Sequence, residues 1–205
     1  MEQFIKKKYK TMDTKNSKKE ILIISSVSGG GKNTIIKELL HFFPEKFRVA
    51  VTATTRKPRN KEVHGKDYYF LSIEEFQEMI NNNQFIEFAK VHNNYYGIPL
   101  WELHKAIEEN KILILNIDYQ GMRTIKNKFK NKVLSIFLMP PSKEVWLERL
   151  KKRNTESEEE LQIRILEGEK EMEAAKEYDY IVVNDDLNDC KNQIISILKR
   201  EQILD

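Results

Sequence analysis

Hydrophobic positions in this chain come in blocks rather than singly. Five short runs, at 21–24, 48–52, 112–117, 133–138 and 180–183, are dominated by Ile, Val and Leu, and the stretches between them return apolar residues at helical spacing. A strand that is apolar on both faces has to be covered on both, and helices alternating with such strands supply the cover. The pattern therefore predicts an α/β chain built on a five-stranded parallel sheet, with helices on both faces and right-handed crossovers. Sheets of this kind bind ligands beyond the carboxyl ends of their strands.

Two stretches depart from that pattern. Residues 54–100 are richer in turn residues and aromatics. Within them, Ser72 followed by Glu75 predicts a capping box that opens a helix. A short strand is expected at 85–91, whose alternation puts Phe85, Glu87, Ala89 and Val91 on one face and Ile86 and Phe88 on the other. Residues 142–178 are highly charged and helical, with a second capping box from Ser157 to Glu160. The core is then 21–53, 101–141 and 179–205. Polar insertions beside a ligand site are expected to move and to close over what binds there.

Composition changes the picture only a little. With 205 residues, 40% hydrophobic and 33% charged, the chain suits one soluble domain with insertions. No apolar run nears the ~20 residues that span a bilayer, so no membrane partner is expected. The single cysteine, Cys190, excludes an internal disulfide framework and fits a reducing, cytoplasmic setting, where it reads as a passive thiol on a C-terminal helix. A net charge of +3 is too small to argue for nucleic acid. Most of the excess sits in residues 1–20, where Lys6, Lys7, Lys8, Lys10, Lys15, Lys18 and Lys19 outnumber the acids, and that segment reads as a basic disordered tail. His41, His64, His92 and His104 are scattered without ligand spacing, and Trp101 and Trp146 read as packing residues.

Candidate chemistry is densest at 21–40. An apolar strand runs into Val27-Ser28-Gly29-Gly30-Gly31-Lys32-Asn33-Thr34 and then into an amphipathic helix. A strand that bends at glycines into a helix aims backbone N–H groups and the positive end of the helix dipole at one spot, which suits a phosphate chain. Lys32 can reach its outer phosphates. The pattern is close to the P-loop G-x-x-x-x-G-K-[ST] but departs from it twice. Ser26 stands at the first glycine, and Asn33 stands where a Mg²⁺-holding Ser or Thr is usual, with Thr34 following.

A second constellation follows. Arg56 and Arg59 flank Pro58, and two guanidinium groups held in a stiff loop can clamp a phosphate dianion. Tyr68 and Tyr69 add neutral donors. Glu87 sits in a strand that is otherwise mostly apolar. A carboxylate in a pocket accepts two N–H bonds side by side, a pair that guanine offers and adenine does not.

The runs TTRKPR, EVHGKDYYF, FIEFA, NYYG, NIDYQG and IVVNDDL, in that order, resemble the guanylate kinase family of ATP:GMP phosphotransferases over about 21–197. The resemblance implies a P-loop kinase core with a GMP-binding region at 54–100 and a lid at 142–178. It implies that Ser28, Gly29, Gly30, Gly31, Lys32, Asn33, Thr34 and Asn184 serve ATP, the last near the adenine. Arg56, Arg59, Tyr68 and Tyr96 would hold the GMP phosphate, and Glu87 and Thr52 would read guanine, with Asp118 beside them. Arg149, Arg153 and Arg164 match lid arginines that close on the ATP phosphates, and Asp185 and Asp186 are expected to cap the last helix. The implied reaction is reversible transfer from Mg²⁺-ATP to GMP or dGMP by a monomer.

Three positions differ from the family pattern. Ile98, two after Tyr96, stands where Ser or Thr is common, so it has no hydroxyl to offer the base. Asn116 replaces the first acid of the usual L-D-[IV]-D, leaving Asp118, and Asn33 replaces the P-loop Ser or Thr. Weaker Mg²⁺ organisation or altered base affinity is expected rather than a dead enzyme, with Asn33 and water as ligands. The alternative function is a catalytically impaired interaction module. Such modules typically lack the P-loop lysine and the lid arginines, which this chain keeps.

Overall fold

The computed structural model describes residues 18–91, 93–152 and 158–205. In chain order the elements begin with β1 (Ile21–Ser26), α1 (Lys32–Phe42), β2 (Phe47–Val49), β3 (Ala53–Thr54), β4 (Tyr69–Phe70), α2 (Ile73–Asn81), β5 (Phe85–Val91) and β6 (Asn94–Pro99). They continue with α3 (Leu100–Glu108), β7 (Ile112–Leu115), α4 (Tyr119–Phe129), β8 (Val133–Met139), α5 (Lys143–Lys151), α6 (Glu158–Ala174), β9 (Tyr180–Val183) and α7 (Leu187–Arg200).

The five apolar runs form one parallel sheet in the order β2-β7-β1-β8-β9. Every residue of β1 is buried. Ile21 and Ile23 enter one hydrophobic cluster, with Leu103 of α3, Met122 and Ile125 of α4 and Trp146 of α5. Leu22 and Ile24 enter another, with Ile35 and Leu39 of α1 and Ile194 and Leu198 of α7. Helices on both faces explain why the central strands are apolar throughout, whereas the edge strand β9 departs from the expectation: Val182 is buried, but Ile181 and Val183 on its other face are exposed. Cys190 is a buried free thiol on α7, pushed up to about 11 by burial, as expected of a passive packing residue.

The second apolar run ends sooner than its composition suggests. Pairing stops at Val49, and Ala50 adds one further bond to the Ile114 carbonyl (3.0 Å). The Val51 N–H then turns away and donates to Oε2 of Glu102 (3.1 Å). Glu102 is fully buried and also takes the Tyr69 hydroxyl (2.9 Å) and Lys105 Nζ (3.3 Å), with the Arg48 guanidinium 3.5 Å away. A buried carboxylate is tolerated only when so surrounded. It ties the exit from the parallel sheet to β4 and α3.

From Ala53 the chain belongs to a second sheet, in the order β4-β3-β6-β5, with β6 antiparallel to β3 and β5. Of these strands only β5 is legible in the sequence, because two-residue strands such as β3 and β4 leave no periodicity. Helix α2 covers this sheet, Phe76 stacking on Phe85 at 4.4 Å. It opens with the expected capping box: Ser72 Oγ accepts from Glu75 N, and Glu75 Oε2 from Ser72 N.

One strand expectation is corrected. A register shift between Phe85 and Glu87 breaks the alternation of β5. Phe85 joins Phe76 under the sheet and crowds the Gly97 backbone together with Phe88, while Glu87 and Ala89 face a cavity on the other side. Strict alternation had put Phe85 with Glu87. The bulge separates them and leaves the carboxylate facing the cavity.

Candidate active site

At the carboxyl end of β1 the chain turns into α1 around a cavity of about 350 Å³. Its walls are Ser26 to Thr34 on one side, Asn116 at the end of β7, and Arg164, Glu167, Gly168 and Glu171 along one face of α6. Gly31 caps α1 in the left-handed region (φ 87°), and a Cβ there would lie 2.2 Å from the Asn184 amide. No side chain caps α1 and no acid stands in its first turn, so its N–H groups and dipole face the cavity without a cap of their own. Ser26 fits at the first glycine position because Gly30 has no side chain. A Cβ on Gly30 would lie 1.8 Å from Ser26 Oγ.

A second cavity, of about 190 Å³, opens beside the first. Thr52, Tyr68, Glu87, Tyr96, Ile98 and Asp118 line it, and Asn116 belongs to both walls. Glu87 is pushed up to about 7, first by burial and then by the neighbouring Asp118. Asp118 also caps α4, accepting from Gly121 N at 2.8 Å. Ile98 is buried opposite Glu87, so this wall is apolar where a hydroxyl was expected.

The two asparagines that set this chain apart touch each other. Asn116 Nδ2 donates to Asn33 Oδ1 at 3.1 Å, bridging the start of α1 and the end of β7. The oxygen read as a metal ligand thus already has a donor. Among the described residues, no group of three or more His, Cys, Asp or Glu could hold a metal ion.

The expected arginines divide. Arg164 lines the first cavity and donates to Ser28 Oγ at 3.1 Å. Arg149 points instead to backbone oxygens beyond β9, at 2.8 Å from Asn184 O and 3.4 Å from Asp185 O. Arg153 and the Ser157–Glu160 box fall outside the described residues, as do His92 and residues 1–17. Arg56 makes a two-pronged contact with Glu62 (2.8 and 3.0 Å) and lies over the Tyr68 ring at 5.3 Å. Glu62 also accepts from the Arg59 N–H (2.6 Å), so one carboxylate gathers the loop that carries both arginines. Asn184 is buried behind the P-loop, donating to Gly30 O at 2.8 Å, and does not line the cavity. Asp186 caps α7 as expected, whereas Asp185 offers Arg149 its carbonyl.

Sequence reasoning missed three residues. Glu171 faces the P-loop lysine from α6 and is pushed up to about 7 by burial, with Asp118 and Glu167 raising it and Lys32 opposing. Its position was readable, since 164, 167, 168 and 171 fall on one helical face. Glu62 and Glu102 carried no such signal.

Residues 18–201 match the family model described as guanylate kinase. The chain belongs to the guanylate kinase family. It is 40% identical over 183 residues to the guanylate kinase of a Wolbachia from Brugia malayi, covering 89% of this chain and 93% of that protein. It is 42% identical over 182 residues to that of Clostridium tetani, covering 89% and 86%. The crystal structure of guanylate kinase from Anaplasma phagocytophilum superposes with a TM-score of 0.69 at 31% identity, over 93% of this chain and 90% of that one. The α/β core with its five-stranded parallel sheet is thus the family's fold.

Proposed function

We propose that this guanylate kinase family member transfers the terminal phosphoryl group of ATP to GMP or dGMP, giving ADP and GDP or dGDP. The observation that carries the reading is the junction of two cavities at Asn116, one around the P-loop lysine and one facing Glu87. ATP takes the first, its phosphates on the N-terminus of α1 and Lys32. GMP takes the second, Glu87 accepting the guanine N1 and N2 protons while Thr52 and Asp118 flank the base. Tyr68, Tyr96, Arg56 and Arg59 receive the GMP phosphate.

An oxygen of the GMP phosphate attacks the γ-phosphorus in line as the bond to the ADP oxygen breaks. The attacking phosphate is already anionic, so no side-chain base is needed, and catalysis lies in positioning and charge stabilisation. Arg56 exchanges Glu62 for that phosphate, and Arg149 leaves the carbonyls of Asn184 and Asp185 for the transferring group. Arg164 is already at the cavity wall. We assign residues 54–100 to acceptor binding and 142–178 to the lid, with Arg153 among its arginines.

Mg²⁺ fits this donor set as an ion that would arrive with the nucleotide: among the described residues no group of three or more His, Cys, Asp or Glu gathers to cage it, which suits a cation that keeps phosphate and water ligands. It would supply neutralising charge to the phosphates. Asn33, and Glu171 through water, are the side chains placed to orient it. The proposal takes the enzyme as a cytoplasmic monomer acting on free nucleotides.

The test is ADP release with GMP, dGMP, AMP and UMP at varied Mg²⁺. GMP and dGMP should support turnover and AMP should not. Equal rates with AMP would remove Glu87 from base selection, and no acceptor-dependent release would remove the reading.

A further inference from the structure

Trp146 of α5 is fully buried, yet its ring does more than fill the core. Its indole Nε1 donates to the Ser28 carbonyl at 2.9 Å, which ties α5 to the P-loop. The ring packs closely against α6 at Gly168, where an added Cβ would come within 2.3 Å of Cζ2 and 2.7 Å of Cη2. Three elements therefore meet at one side chain. Ser28 is gripped twice, at its carbonyl by Trp146 and at its hydroxyl by Arg164.

In a planar peptide the carbonyl and the following N–H point in opposite directions. With the Ser28 oxygen held on the Trp146 side, the Gly29 N–H is turned the other way. Gly29 lines the cavity and has φ 83°, a conformation that peptide rotation would change. Resting on the assignment of the first cavity to ATP, we infer that Trp146 is a positioning residue for the donor nucleotide, locking the Ser28–Gly29 peptide in the orientation that presents an N–H to phosphate. The lock matters most when Arg164 leaves the Ser28 hydroxyl for the transferring group. At that moment the indole still holds the Ser28 carbonyl.

The test separates the hydrogen bond from the packing, using the full chain. Trp146→Phe removes the donor but keeps a ring, and losing one such bond corresponds to a rise of about three- to tenfold in KM for ATP, with KM for GMP unchanged. The paired variant Trp146→Leu with Gly168→Ala refills the space without a donor. It should melt near the wild-type temperature and still show the raised KM for ATP. Gly168→Ala alone keeps the indole but pushes it off Ser28, and should raise the same KM. A paired variant with both normal melting and normal KM for ATP would overturn the inference, as would equal rises for ATP and GMP. Wild-type protein that fails to transfer phosphate from ATP to GMP would instead overturn the cavity assignment beneath it.

Discussion

At the scale of single residues the site is a set of charges held where they cost free energy until substrate arrives. Lys32 has no counterpart for reaching the outer phosphates from the loop, so Lys32→Ala should lower turnover by roughly two to three orders of magnitude. Its melting temperature should stay near wild type, because Lys32 contributes nothing to the hydrophobic clusters. Glu87 makes a pH prediction. Its folded value of about 7 lies above the ordinary 4.5, so the fold prefers the protonated carboxyl. The ligand-free protein should therefore lose stability as pH rises from about 4.5 through about 7, and Glu87→Gln should reduce that slope in melting experiments, Glu171 supplying the rest. Binding runs the opposite way. Guanine offers two donors and needs the ionised carboxylate, so KM for GMP should rise as pH falls below about 7. In Glu87→Gln, KM for GMP should be raised about tenfold or more and be flat with pH, since an amide presents one acceptor and one donor group.

At the scale of elements, the joint between the two sheets rests on Glu102. It receives one donor each from the crossing at Val51, from β4 and from α3. Glu102→Gln keeps the shape but leaves Arg48 without its buried partner and cannot accept from every donor. A loss of about 3 kcal/mol is expected, as when one member of a buried pair is removed, read as a lower denaturation midpoint. Thr52 lies one residue beyond Val51 and lines the second cavity, so the same variant should raise KM for GMP more than KM for ATP. Equal changes in both would mean that Glu102 serves the core rather than the joint.

At the scale of the molecule, both arginine sets rest on protein groups in the ligand-free structure: Arg56 on Glu62, Arg149 on two carbonyls, Arg164 on Ser28. In the proposed reaction these partnered cations exchange their protein groups for phosphate. ATP and GMP together, without Mg²⁺ so that they do not turn over and each at about a hundred times its dissociation constant, should stabilise the fold by roughly 2.7 kcal/mol per site. The melting temperature should rise further with both than the separate increments sum to, if closure couples the two cavities at Asn116. Strict additivity would argue that the two cavities close independently.

Much of this was readable from the chain alone. Runs of branched aliphatic residues mark strands buried on both faces, since only such strands have no polar side, and the P-loop follows from local backbone chemistry at consecutive residues. The motif run around Arg56, Glu87 and Tyr96 carried the family. What the sequence could not hold were pairings between distant positions. The Asn33–Asn116 bridge, the bulge that turns Phe85 away from Glu87 and the seat of Trp146 on Ser28 depend on which segments the fold brings together. Periodicity reports whether a residue is buried. The partner it meets there is decided only when helices and sheets pack, because hydrogen bonds and ion pairs depend on distances of a few ångströms between segments far apart in sequence.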